Sequence, residues 1–211
     1  MTTLAVIKAQ LADDCNRTDI STQIATAIES AIDHYRTTRM FFNETRGSTF
    51  ATVDGQSRYT SSDDADIPLW FQLDEVFVND GTRERELQLY SPPRMEYLLS
   101  ETTPAENVPY AYAYYDRSFW LYPVPGAVYT VRPIGAIEMA SPAADDTANN
   151  VWMVDAYELV RCRAKLYLAV HVLKDTELAL TMKAAERDAL SQLTSATGKR
   201  VSTGRLTATA F

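Results

Sequence analysis

Residues 110–139, YAYAYYDRSFWLYPVPGAVYTVRPIGAIEM, decide the fold of this chain, because turn chemistry divides their aromatic and β-branched residues twice. The short polar interruption covers residues 116–118, and the longer one covers residues 123–126. Runs of this composition, bounded by Pro, Gly, Asp and Ser, are typical of strands joined by tight turns. The stretch therefore predicts a three-stranded antiparallel meander within a larger all-β module.

Extended patterns continue on the N-terminal side of this stretch. Residues 41–53 contain two strand-like pieces, and they are followed by Asp54-Gly55, a dipeptide favoured in two-residue hairpins. The dipeptide predicts a hairpin whose return strand is residues 56–60.

Between that hairpin and the meander, the pattern predicts two extended pieces, a turn and a short helix. Residues 69–73 and 75–78 are extended in character, and the turn follows at residues 79–81. Alternation in the next segment predicts that Leu87 and Leu89 lie on one face of a strand. A proline pair then precedes a helical segment at residues 94–99.

Helical periodicity precedes the β module. A first helix is predicted to end near residues 13–16, and a second is predicted over residues 20–39, with Asp19 or Ser21 as its N-cap. One apolar stripe defines the second helix: Ile20, Ile24, Ile28, Ala31 and Tyr35.

Helical periodicity also follows the β module. A helix is predicted over residues 154–173, and its apolar residues exceed one face, so we expect it to pack on more than one side. Asp175 is predicted to cap a last helix that Gly198 ends.

The predicted fold class is therefore α+β, a helical bundle built from both chain ends with an inserted antiparallel β domain, sandwich or barrel-like. The bundle comprises residues 1–40 and 151–196, and the β domain comprises residues 41–140. Residues 141–150 are small and polar and predict a linker. Residues 197–211 form a C-terminal tail.

The net charge of −8 lies on the middle of the chain. Residues 41–140 hold 15 acidic and 7 basic side chains, which gives −8, and no lysine. Tight binding to DNA needs Lys and Arg to displace counterions from the phosphates. This composition excludes that class of function, but it allows DNA to pass the protein without binding.

The sequence contains no recognisable catalytic or metal-binding pattern, so we expect neither an enzyme nor a cofactor. His34 and His171 lie in helical patterns without a nucleophile signature beside them, and Cys15 and Cys162 are far apart in the sequence. The two cysteines predict no disulfide, and an intracellular protein is expected. No apolar run reaches the ~20 residues that a bilayer span needs.

The tyrosine-rich strands allow two interpretations. Tyr110, Tyr112 and Tyr114 fall on one strand face, and Trp120 and Tyr122 fall on one face of the next strand. The rings form either an exposed platform for a sugar or partner, or the filling of a sandwich core and its interface. The second interpretation is favoured.

The order of these elements resembles that of the head–tail adaptor (connector) proteins of tailed bacteriophages. The resembling parts are a helix pair ending at Tyr35, the segment FWLYPVPGAVYTVRPIG at residues 119–135, and a helix pair after Val151. The Asp175-Thr176-Glu177 start of the last helix also fits, and so does the proline-led segment at residues 91–99. Residues 41–90 show only generic β character.

The resemblance implies a ring, commonly of twelve copies, beneath the portal protein in the virion neck, assembled in the host cytoplasm. Such a ring extends the DNA channel and docks tail or nozzle proteins, with no membrane involved. Leu166 and Val170 are then candidates for contacts between copies. The tail supplies candidate portal contacts: Lys199, Arg200, Arg205, Leu206 and Phe211. A chain ending at Thr197 is expected to fold but not to attach to portal-bearing heads.

A carbohydrate- or receptor-binding β module on a helical stalk is the alternative function. It predicts that the tyrosines are exposed and that the free protein binds sugar. A hydrolase would require a buried carboxylate pair, which the sequence does not indicate.

Overall fold

The computed structural model describes residues 2–64, 67, 69–101, 105–147 and 149–203, with side chains as far as residue 200. The α-helices in this part of the chain are α1 (Leu4–Asp14), α2 (Ser21–Tyr35), α3 (Pro92–Leu99), α4 (Val151–Val154), α5 (Tyr157–Leu168) and α6 (Thr176–Thr203). A π-helical segment, Ala169–Leu173, directly follows α5.

The strands form two main sheets. In chain order they are β1 (Glu44–Thr45), β2 (Phe50–Ala51), β3 (Arg58–Tyr59), β4 (Trp70–Asn79), β5 (Glu84–Glu86), β6 (Gln88–Leu89), β7 (Glu106–Asn107), β8 (Ala111–Tyr115), β9 (Ser118–Tyr122), β10 (Val124–Pro125) and β11 (Thr130–Ile137). The first sheet has the order β1-β11-β4-β5, with β2 also pairing to β11. The second has the order β3-β9-β8-β6, and β7 and β10 form a short parallel pair.

The chain divides into two compact units. Met1–Asn43 and Met139–Phe211 form the helical unit, and Glu44–Glu138 form the β unit. The predicted α+β class, with helices at both ends and an inserted, largely antiparallel β region, is confirmed, and the described strands form no closed barrel. The first and last strands of the β unit pair with each other, since Glu44 lies opposite Ala136.

The core of the helical unit forms around α5. Helices α2 and α6 both pack against α5, as its apolar residues on more than one side predicted. The predicted 154–173 helix is divided at Asp155 and Ala156, and its last turn is π-helical.

Ion pairs connect α1 to α5. Asp14 of α1 accepts a hydrogen bond from Arg161 (2.7 Å) and contacts Lys165 (3.2 Å). Partial burial raises the pKa of Asp14, but these two cations outweigh it and hold the pKa below its ordinary value.

The predicted limits of α2 were wrong in detail. Its N-cap is Ile20, and no side chain caps it; Asp19 instead accepts hydrogen bonds from Arg17. The helix ends at Tyr35 rather than residue 39, and a turn follows in which the Thr38 N–H donates to the Tyr35 carbonyl (2.9 Å).

The predicted meander was wrong in its third strand. Strands β8 and β9 do pair antiparallel, but β11 pairs with β4 in the other sheet. Between them, β10 pairs in parallel with β7 instead of returning along β9. The proline-rich segment therefore moves the chain from one sheet to the other.

The Asp54-Gly55 turn likewise joins two sheets rather than a hairpin. The preceding strand β2 pairs with β11, and the following strand β3 pairs with β9. The buried Tyr59 hydroxyl fixes this turn: it accepts from the Val53 N–H (3.0 Å) and contacts the carbonyls of Val53 and Gln56. Local turn chemistry was predicted correctly, but the strand partners were not.

The turn into β5 and helix α3 confirm their predictions, and the two predicted extended pieces before the turn form one continuous strand, β4. The common face predicted for Leu87 and Leu89 was wrong, because Leu87 is buried and Leu89 is exposed. The chain changes sheets between them: the Leu87 N–H donates to Val76 of β4, and the Gln88 N–H donates to Tyr110 beside β8.

Gly135 marks an irregularity in the long β4–β11 pairing. The register shifts between Ile134 and Gly135, and the glycine has a φ of +159°. A Cβ at this position would lie 2.2 Å from the Gln72 carbonyl oxygen of β4. Only glycine allows the two backbones to approach this closely.

Candidate interaction surfaces

An apolar groove lies where the chain turns from α5 into α6. Its volume is about 390 Å³. Leu166, Tyr167 and Val170 line one wall, and Ala179 and Leu180 line the other. Val170 is 49% exposed and Leu180 is 66% exposed, so both walls present large apolar side chains to solvent.

The turn that closes this groove is defined by polar contacts. Lys174 has the left-handed conformation (φ 54°) and ends the π-helical segment, and the Asp175 N–H then donates to the Ala169 carbonyl (3.0 Å). The Asp175 carboxylate accepts from the Leu178 N–H (3.0 Å), which confirms its predicted role as the cap of the last helix. The two helices are thereby fixed side by side at this end.

Two lysines lie at the edge of the groove. Lys183 contributes to its lining and Lys174 lies beside Asp175 in the turn at its end, whereas Arg163 in the lining is paired with Glu186. Residues 157–200 as a whole hold eight basic and five acidic side chains, which gives +3. A ligand for this groove therefore needs an apolar face accompanied by acidic groups.

A buried polar junction joins α2, α5 and α6. The Tyr35 hydroxyl of α2 donates to the Glu186 carboxylate of α6, and Arg163 of α5 donates to the same oxygen (3.1 Å). Burial and the hydrogen bond to Glu186 both raise the pKa of Tyr35 well above its ordinary value. Arg163 also contacts the His34 ring (3.4 Å). The junction fixes how α6 is rotated and where it lies along α5.

Sequence reasoning placed Leu166 and Val170 at a protein contact but missed Leu180, Lys183 and Glu186. The sequence could have indicated Glu186, because this acidic residue interrupts the apolar stripe of the last helix between Met182 and Ala189. A charge within such a stripe indicates a buried polar contact.

The predicted end of the last helix at Gly198 was wrong, because α6 continues to Thr203. Two contacts hold its C-terminal part on the helical unit. The Thr197 hydroxyl accepts from the Phe41 N–H (3.0 Å), and the Arg200 guanidinium lies 3.9 Å from the centre of the Phe41 ring. The free energy of these two contacts offsets the destabilising effect of Gly198 within the helix.

The candidate portal contacts fall into two groups, one on α6 and one beyond its end. Lys199 and Arg200 lie on α6, and Arg200 already stacks on Phe41. Three of the candidates, Arg205, Leu206 and Phe211, lie outside the described residues.

The tyrosine-rich strands fill the interior of the β unit. Tyr112 is buried, and the Tyr114 hydroxyl accepts from the Trp70 N–H (3.3 Å) in the sandwich core. Trp120 and Tyr122 are buried beneath α3 on the other face of their sheet. Tyr110 is half exposed, but its ring packs edge-on against Tyr122. These positions favour the structural interpretation over a sugar platform.

The residues weighed for metal or catalytic chemistry do not come together in the described part of the chain. No group of three or more His, Cys, Asp or Glu side chains there is suited to hold a metal ion. His34 contacts Arg163, and His171 packs on Tyr167 with ring centres 4.5 Å apart. The Asp63 carboxylate accepts from the Thr60 N–H (2.8 Å) and stabilises its own loop.

The described residues thus present an exposed apolar groove and a polar junction rather than a catalytic centre, and comparison with known families gives the class of the protein. The family model of the SU10 adaptor protein matches residues 2–209. The chain therefore belongs to the SU10 adaptor protein family and is a phage head–tail adaptor, which confirms the resemblance found in the sequence. This is a family of structural phage proteins, not of enzymes.

No curated protein matches the chain at a significant level. Among the described residues, no helix is both long and apolar enough to cross a membrane.

Proposed function

We propose that this adaptor forms a ring of twelve copies beneath the portal protein in the virion neck. The ring extends the DNA channel, and its free face docks tail or nozzle proteins. Genomic DNA passes through without specific binding. The family match over nearly the whole chain carries this proposal.

The exposed apolar groove supports contacts between copies. Val170 and Leu180 are far more exposed than large apolar side chains of a monomer core, and they face each other across one groove. Leu166 lies deeper in the same groove. Burying these side chains against another copy removes apolar surface from water.

The charge of the β unit supports passive DNA passage. Residues 44–138 hold 15 acidic and 7 basic side chains, so the unit has a net charge of −8 and no lysine. Such a surface repels phosphates rather than holding them.

Cryo-electron microscopy of purified heads with and without added adaptor tests the proposal directly. We expect a ring of density at the portal vertex only when the adaptor is present. Val170→Asp should abolish the ring while leaving circular dichroism unchanged, because the side chain is exposed in the single copy. Ser191→Asp, an exposed change on α6 outside the groove, is the matched control. A Val170→Asp protein that still forms rings would exclude this groove from the interface.

Portal docking by the tail needs a separate test. Because α6 continues past Gly198, a chain ending at Thr203 keeps the Arg200–Phe41 contact that a chain ending at Thr197 loses. We expect both shortened chains to fold and both to fail to cosediment with portal complexes. Full attachment by the chain ending at Thr203 would remove Arg205, Leu206 and Phe211 from the docking role.

A further inference from the structure

We propose that the α5–α6 groove of one copy receives the outer face of helix α1 from the next copy, a contact that rests on the ring proposed above. Exposed large apolar side chains in the described part of the helical unit are few: Val6, Val154, Val170 and Leu180. Val170 and Leu180 form the two walls of the groove, and Val6 lies on α1.

Helix α1 has apolar residues on both of its faces. Ile7 and Leu11 point inward and are fully buried in the core of the helical unit. Val6, Ala9 and Asp13 lie on the opposite face and are exposed. These three residues follow helical spacing of three and four, so they form one stripe with apolar side chains followed by an acid. These apolar and acidic side chains complement a groove that is lined by apolar residues and has Lys174 and Lys183 at its edge.

The groove and the stripe of one copy cannot meet each other. Helix α1 is fixed against its own α5 by the Asp14 contacts to Arg161 and Lys165 and by the burial of Ile7 and Leu11. Its exposed stripe therefore faces away from the core that it shares with α5. A second copy must supply the helix that enters the groove.

Charge complementarity selects this partner. Residues 4–35, which contain α1 and α2, hold five acidic and two basic side chains, which gives −3, against +3 for residues 157–200. Asp13 and Glu29 have no ion-pair partner among the described residues, and neither do Lys174 and Lys183. Two different surfaces of opposite sign favour head-to-tail packing, which generates a ring when the rotation closes.

Cysteine cross-linking of the full-length protein on portal-bearing heads tests the contact. In a Cys15→Ala background, Val6→Cys combined with Leu180→Cys should give a ladder of disulfide-linked adaptor oligomers after mild oxidation. Val6→Cys combined with Ser191→Cys is the matched control, because Ser191 is exposed on α6 outside the groove. We expect no ladder from the control or from either single change.

Reciprocal charge reversal gives an independent measurement. Asp13→Lys or Lys183→Asp alone should weaken ring formation about tenfold, and the two changes together should restore most of it. Because Asp13 and Lys183 are both exposed, the circular dichroism spectra of the variants should be unchanged.

The outcomes distinguish this inference from the proposed function. Rings that form without a disulfide ladder and without charge rescue would overturn the α1 contact but leave the ring intact. A cross-link from Leu180→Cys to the portal protein would assign the groove to the portal instead and would also overturn it. Absence of any ring from the unaltered protein would reject the proposed function itself.

Discussion

Helices α2 and α6 both pack against α5, but they are held there by different forces. Six residues of α2 are buried, and all are apolar or aromatic: Ile24, Ala27, Ile28, Ala31, Ile32 and Tyr35. Along residues 176–200 of α6, the buried side chains are Glu186 and Thr197, both of them polar. The apolar residues of α6 that contact the core, such as Leu193, remain partly exposed.

The two helices therefore contribute differently to the helical unit: α2 mainly stabilises it, and the polar contacts of α6 mainly define the position of that helix. Apolar burial is non-directional and supplies most of the free energy of folding, so α2 belongs to the part of the bundle that folds as a core. Hydrogen bonds between buried polar groups are directional, so Glu186 and Thr197 define where α6 lies without contributing comparable stability. A helix that is positioned in this way holds its exposed face in a defined orientation.

Truncation of an α2 core residue should have the largest effect. Ile28→Ala removes a buried side chain of α2 from the core of the helical unit and should lower the free energy of unfolding by about 2–5 kcal/mol. The matched change in α6, Leu193→Ala, should cost less than half as much because that side chain is partly exposed. Urea unfolding followed by circular dichroism measures both. Equal losses would remove the distinction between the two helices.

Loss of the buried carboxylate should have the next largest effect. Glu186→Ala leaves the Tyr35 hydroxyl and Arg163 without their acceptor and should cost about 1–3 kcal/mol. Glu177→Ala, an exposed change in the first turn of α6, should stay within about 0.5 kcal/mol of the unaltered protein. If the two variants unfold at the same urea concentration, the junction contributes nothing.

The C-terminal contact of α6 should have a smaller effect. Thr197→Val removes the acceptor of the Phe41 N–H and should cost about 1 kcal/mol, with hydrogen exchange at Phe41 faster than in the unaltered protein. Thr194→Val is the control, because Thr194 is exposed and its hydroxyl also bonds a helix carbonyl, whereas the acceptor of the Phe41 N–H is Thr197. Unchanged exchange at Phe41 would contradict the anchoring role.

Alkaline pH should reveal the smallest effect. The pKa of Tyr35 is raised above its ordinary value of 10, so the folded protein holds this proton more tightly than the unfolded chain does. The stabilisation is complete below pH 10 and is lost as pH rises from 10 toward the raised pKa. Near pH 10.5 the loss should be about 0.8 kcal/mol or less. Tyr35→Phe should flatten this pH dependence, and an unchanged slope would show that other groups cause it.

The sequence predicted those parts of the fold that depend on local pattern. The stripe of α2 follows from periodicity, the extended character of the residues in β4 follows from composition, and Asp175 follows from capping chemistry. The strand partners of β3 and β11 could not be predicted, because pairing across two sheets depends on residues distant in the chain. The exposure of Leu89 has the same origin, since the chain changes sheets immediately before it.

The candidate surface was predictable in part for a similar reason. The apolar residues of the predicted 154–173 helix exceed one face, which pointed to Leu166 and Val170 as candidates. The structure places both in one groove, and their role in contacts between copies stays a prediction. Leu180 was not found, because a single leucine on a polar helix face gives no signal until α6 is placed beside α5. The continuation of α6 past Gly198 depends on Phe41, which lies more than 150 residues away in the chain.

The pairing of β1 with β11 has a consequence for how such proteins diversify. Since Glu44 lies opposite Ala136, the chain leaves the β unit about one strand spacing, roughly 5 Å, from where it began. A segment whose ends are this close can be exchanged for another of different length without altering the path of the chain on either side. The β unit can therefore differ in length or sequence between related proteins while the helical unit keeps its fold.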